Sequence, residues 1–66
     1  MRKIRLRELR NEKGLTQEQL AKKLNINNRR ISNYENNLTQ PDIDTIEKFC
    51  KFFNVSADYF LGFKDE

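Results

Sequence analysis

The chain is 66 residues long, with 36% hydrophobic and 35% charged residues and a formal net charge of +3. That length is expected to form one small domain that buries only roughly 60% of the surface of its unfolded form, which excludes large enzymes, barrels and fusions to ligand domains. With no histidine and one cysteine, it also excludes a His/Cys zinc site, an imidazole-based catalytic centre and an intrachain disulfide; the lone thiol suits a reducing compartment.

Apolar residues recur at helical spacing and no segment alternates with period two, so the expected class is all-α. The first helix is predicted from about Lys3 to Lys13, with Leu6 and Leu9 on one face beside Arg10 and Gly14 closing the end in a left-handed conformation. Thr16-Gln-Glu-Gln19 has capping-box spacing and starts a second helix with Leu20, Ala21 and Leu24 inward. Asn25 tolerates positive φ, Ile26 enters the core, and Asn27 caps a third helix ending near Asn36. Only residues 25–27 separate these two helices, which forces a sharp corner. Ile31, Tyr34 and Glu35 share the inner side of the third helix; Asn28, Arg29, Ser32, Asn33 and Asn36 share the outer one. Asp42 after Pro41 caps a fourth helix with Ile43, Ile46, Phe49, Cys50 and Phe53 inward. Ser56 caps a short fifth helix ending at Gly62, with Tyr59, Phe60 and Phe63 as its apolar side.

Charge is distributed unevenly. Residues 1–33 carry ten Lys/Arg against three acids, a balance of +7, whereas residues 34–66 carry three against seven, a balance of −4. A basic front half suits a polyanion, although scattered Lys and Arg also describe ordinary solvated helix faces. Met1-Arg2-Lys3 is basic like the start of a signal peptide, but no apolar stretch follows. Tyr59-Phe60-Leu61 is far too short to span a bilayer. The expected location is the cytoplasm, away from membranes.

Gly14-Leu-Thr-Gln-Glu-Gln-Leu-Ala-Lys-Lys-Leu24 resembles the second-helix signature of lambda-repressor-like (Cro/repressor, Xre-type) helix-turn-helix proteins. Ile31-Ser-Asn-Tyr-Glu35 is similar to the end of that family's recognition helix. Pro41-Asp-Ile-Asp-Thr-Ile46 and Asn54-Val-Ser-Ala-Asp-Tyr-Phe-Leu-Gly62 are similar to its fourth and fifth helices. The resemblance covers the chain from about Ile4 to Gly62 and implies a compact five-helix domain, spanning residues 1–66, with its helix-turn-helix at helices two and three. Asn25 and Asn37 stand where the family usually carries glycine, and both can take a left-handed conformation.

The resemblance implies that the third helix enters a B-DNA major groove. There Arg29 suits guanine O6 and N7, while Asn28 and Asn33 suit adenine N6 and N7; each bidentate pair discriminates by about 1–3 kcal/mol. Asn27 and Ser32 are lesser base-reading candidates. The family's phosphate contact in the first turn of its second helix carries over to Gln17. Asn36 and Asn37 follow as phosphate candidates in the next loop, with Arg30 and Lys13 as weaker ones. The family also carries a buried pair at the places of Arg10 and Glu35, which implies a structural ion pair. Cys50 is read as a small buried hydrophobe, and Asp42 and Asp44 as helix-start residues without metal chemistry.

The function expected from these residues is a sequence-specific transcriptional regulator, a repressor of bacterial or phage type that binds a palindromic operator as a homodimer. With only four residues after Gly62, operator occlusion is the expected mechanism. Phe52, Phe53, Tyr59, Phe60 and Phe63 are many aromatics for so small a core, and Tyr59 and Phe63 are the first candidates for a two-fold interface; alternatively, all five complete one core. An antitoxin or adaptor with secondary DNA binding is the other reading, against which stands an outer third-helix face with Arg29, Arg30 and no acid between Asn27 and Tyr34. No nucleophile–base pair, phosphate-cradling glycine loop or metal cluster is apparent, so neither an enzyme nor a cofactor is expected.

Overall fold

Five helices follow one another in the computed structural model, which describes residues 4–65: α1 (Leu6–Glu12), α2 (Gln17–Leu24), α3 (Asn28–Glu35), α4 (Ile43–Phe53) and α5 (Ala57–Phe60). No strand occurs among the described residues.

Four of the five helix starts are fixed by side chains acting within their own turn. The Gln19 backbone N–H donates to Thr16 Oγ1 at 3.0 Å and the Thr16 N–H to Gln19 Oε1 at 2.9 Å, forming a reciprocal capping box at α2. Asn27 Oδ1 accepts from the Arg29 N–H, Asp42 Oδ1 from the Thr45 N–H, and Ser56 Oγ from the Tyr59 N–H. Each satisfies one of the backbone donors that a helix start leaves open.

All five helix ends share one closure. Gly14, Asn25, Asn37, Asn54 and Gly62 each adopt positive φ, between 55° and 83°. The next residue's N–H then reaches back five positions: Leu15 to Arg10, Ile26 to Ala21, Leu38 to Asn33, Val55 to Cys50 and Phe63 to Asp58. That bond covers a carbonyl the helix would leave exposed and turns the chain sharply. Because Asn25 reverses direction within two residues of α2, Ile26 can enter the core and Asn27 can start α3.

Leu6, Leu9, Leu20, Ala21, Ile26, Ile31, Tyr34, Phe49, Phe53 and Phe60 form the buried core, to which all five helices contribute. Phe49 is its hub: its ring meets Tyr34 edge-on at 6.1 Å and stacks with Phe60 at 5.5 Å. Burying one such ring contributes about 1.5–3 kcal/mol. α2 packs against α3, and both bury apolar residues, Leu20 and Ala21 from α2 and Ile31 and Tyr34 from α3.

Four expectations need correction. The first helix begins at Leu6, not Lys3, which lies outside the described residues; Arg5 makes no side-chain cap, and its N–H donates instead to the Phe60 carbonyl at 2.9 Å. The fifth helix stops at Phe60, because the bonds from Gly62 and Phe63 close it early. Ile43, expected inward, is 83% exposed. It lies six residues before Phe49, so at about 100° per residue it points about 120° away from that buried ring. Cys50 is only partly buried on the core's flank; burial still pushes its thiol pKa up, which disfavours the reactive thiolate.

Candidate nucleic-acid interface

The outer face of α3 carries Asn28 and Arg29 exposed to solvent, with Ser32 and Asn33 half-buried behind them and Asn36 exposed at its end. Among the described residues, the Arg29 guanidinium has no hydrogen-bond acceptor and no acidic partner. Asn33 likewise commits only backbone atoms, its carbonyl accepting from the Leu38 N–H. Asn27 is part of the face but spends its Oδ1 on the helix cap. Asn36 Nδ2 donates to Ser32 Oγ at 3.3 Å, which links two residues of the outer stripe.

Behind this face stands the carboxylate of Glu35, whose side chain is 0% exposed. Arg10 donates through Nε to Oε2 at 2.7 Å and through Nη2 to Oε1 at 3.1 Å, a bidentate pair. Its Nη1 donates to the Leu15 carbonyl at 2.7 Å, so one guanidinium ties α1 both to α3 and to the turn before α2. Gln17 Nε2 donates to Oε1 at 3.1 Å, and Arg7 Nε donates to the same oxygen at 3.2 Å. Burial pushes the Glu35 carboxyl pKa up, but hydrogen bonds from Arg10, Gln17 and Arg7, with the Arg10 charge, hold it below the ordinary range. In turn, the hydrogen bond to Glu35 raises the already high pKa of Arg10 against burial's opposite effect.

The expected phosphate candidates separate into two sets. Gln17 and Asn36 meet around Glu35: the first bonds to it directly, the second through Arg7, whose Nη2 donates to Asn36 Oδ1 at 3.1 Å. Asn37 adjoins them in the left-handed turn that ends α3. Arg30 and Lys13 are engaged elsewhere. Arg30 Nε and Nη2 donate to the Tyr34 hydroxyl at 3.0 and 2.8 Å, and Nη2 also reaches Thr45 Oγ1 at 3.2 Å, which turns the side chain toward α4. The Lys13 ammonium lies 5.6 Å from the Phe52 ring centroid, a cation–π contact with α4. Arg7 was missed by sequence reasoning, although its three-residue spacing from Arg10 on α1 was a usable signal.

The two proposed interface aromatics have different surroundings. Tyr59 is half-buried; the Arg5 guanidinium lies 4.4 Å from its ring centroid, and Arg5 Nε donates to its carbonyl. Phe63 is 60% exposed and lines a groove of about 420 Å³ with Ile4, Pro41, Ile46 and Leu61. Among the described residues no three potential metal ligands gather, and no helix is long and apolar enough to cross a membrane.

This arrangement of helices recurs in known proteins. A family model described as helix-turn-helix matches residues 6–60. The chain is 52% identical over 62 residues to the HTH-type transcriptional regulator ImmR of Bacillus subtilis (strain 168), covering 94% of this chain and 48% of that protein. It is 39% identical over 58 residues to the HTH-type transcriptional activator BcrR of Enterococcus faecalis, covering 88% of this chain and 28% of that protein. The crystal structure of a transcriptional regulator from Listeria innocua superposes with a TM-score of 0.81 at 33% identity, over 92% of this chain and 57% of that one. The chain thus spans about half or less of the length of the ImmR and BcrR relatives. The sequence match across α1 to α5 and the fold agree, and the chain belongs to the lambda-repressor-like helix-turn-helix family.

Proposed function

We propose that this chain is a sequence-specific DNA-binding domain of a transcriptional regulator, with α3 read into the major groove. The observation that carries this reading is the α3 exterior: the Arg29 guanidinium is unengaged among the described residues, amides flank it, and the helix beneath is braced by the Glu35 cluster. A bare guanidinium on a fixed helix suits guanine, and side-chain amides suit adenine. In this reading Asn28, Arg29 and Asn33 read base edges, with Asn27 and Ser32 secondary. Gln17, Asn36 and Asn37 hold phosphates, where the open amides at the start of α2 also favour an anion. Arg30 and Lys13 contribute to the surrounding positive field while keeping their contacts to α4.

Regulation in this proposal is repression by operator occlusion, by two copies on a palindrome. Phe63 carries the pairing more than Tyr59 does, because its ring is 60% exposed beside an apolar groove while Arg5 covers Tyr59.

Selection of bound duplexes from a random pool at two salt concentrations tests the reading. An enriched palindrome is expected. Arg29→Ala should relax preference at one base pair by about 1–3 kcal/mol, whereas Gln17→Ala should weaken all duplexes alike and lower the salt slope by about one. Unchanged motif and affinity in both variants would refute the assignment.

A further inference from the structure

We propose that Arg7 is a phosphate-binding residue of the interface, set in place by Glu35. It is assigned on geometry and charge, and it rests on the DNA-binding reading above. Two guanidiniums, Arg7 and Arg10, share one carboxylate, so the cluster keeps one uncompensated positive charge. The two arginines differ in what they have left to give. Arg10 is 13% exposed and commits all three nitrogens, Nε and Nη2 to Glu35 and Nη1 to the Leu15 carbonyl. Arg7 is 46% exposed and uses only Nε, on Glu35, and Nη2, on Asn36; its Nη1 donors have no acceptor among the described residues. The surplus charge therefore resides on the arginine that solvent can reach.

Its position points to phosphate rather than to a base edge. Ser32, Asn36, Arg7, Glu35 and Gln17 form a continuous hydrogen-bonded chain from the outer stripe of α3 to the first residue of α2. Arg7 thus lies between Gln17 and Asn36, the two amides assigned to the sugar–phosphate backbone. A guanidinium held at Nε by a buried carboxylate keeps its fork edge fixed, so little rotamer freedom is lost when a phosphate oxygen arrives.

The test measures affinity for the selected operator and for a random duplex across a salt series, for wild type, Arg7→Gln and Arg7→Lys. For Arg7→Gln, the slope of log affinity against log salt should shrink by about 0.9, the value for one lost phosphate contact. Its affinity should fall by the same factor on both duplexes, leaving their ratio intact. Arg7→Lys keeps the charge and should keep the wild-type slope. A wild-type slope in Arg7→Gln, or a loss confined to the operator, overturns the proposal. Should Arg7→Gln fail to fold, a slope reduced by one unit in Arg7→Lys would overturn it equally. Wild-type protein with neither salt-dependent binding nor operator preference would instead defeat the DNA-binding reading itself, and this assignment with it.

Discussion

Glu35 shows how one side chain fixes the relative placement of three helices. It leaves α3 inward, is fully enclosed, and receives donors from Arg7 and Arg10 of α1 and from Gln17 of α2. Burying a carboxylate is costly unless donors surround it, and here four hydrogen bonds do so. Because its pKa is held below the ordinary value, the unfolded chain takes up the proton more readily. Its contribution is therefore full above the unfolded pKa of about 4.3 and is lost as pH falls through the lower folded value. An NMR titration of the Glu35 carboxyl should inflect below about 4.3, and an inflection at or above that value contradicts the bracing role. Glu35→Ala leaves Arg10 largely buried without its counter-charge and should cost about 3–5 kcal/mol, comparable with the whole stability of so small a domain. Urea unfolding at pH 7 measures that loss.

At the scale of elements, what was legible in the sequence is what is decided locally. Thr16, Asn27, Asp42 and Ser56 cap helices as their spacing predicted, since each acts on an N–H only two or three residues ahead. The start of α1 was not legible, because its anchor is nonlocal: Arg5 bonds to the carbonyls of Tyr59, Phe60 and Lys64, more than fifty positions away. The candidate site divides in the same way. That α3 presents Asn28 and Arg29 outward followed from periodicity, whereas the engagement of Arg30 with Tyr34 and Thr45 depends on where α4 docks. Asn54 belongs with the local features: like Asn25 it ends its helix at a φ near +58°. Alanine there bears the left-handed penalty without asparagine's tolerance. Asn54→Ala should therefore destabilise by about 1 kcal/mol, read as a lower melting temperature with DNA preference unchanged at temperatures where the variant is folded. An equal melting temperature would show that this closure is unimportant.

At the scale of the whole molecule, size connects the fold to the proposed palindrome. The Cα extents are 27 × 23 × 20 Å, so two adjoining copies can set equivalent helices about 34 Å apart, one turn of B-DNA. In the proposed dimer, aromatic burial narrows which surface would join the two copies. Phe53 and Phe60 are buried and Phe52 and Tyr59 half-buried, which leaves Phe63 as the exposed aromatic of that set. Its neighbours Leu61, Ile46, Pro41 and Ile4 make most of a hollow that Asn37, Thr39 and Gln40 also line, into which the ring of a second copy can insert while its own hollow receives the first, as two-fold symmetry requires. Phe63→Ser should leave the melting temperature within a few degrees of wild type, since a 60% exposed ring contributes little to the core. The same change should abolish cooperative occupancy of a two-half-site duplex while leaving affinity for a single half-site intact. Sedimentation and titrations on both duplexes separate these effects. Cooperative binding that survives the substitution would place the two-fold contact on another face of the molecule.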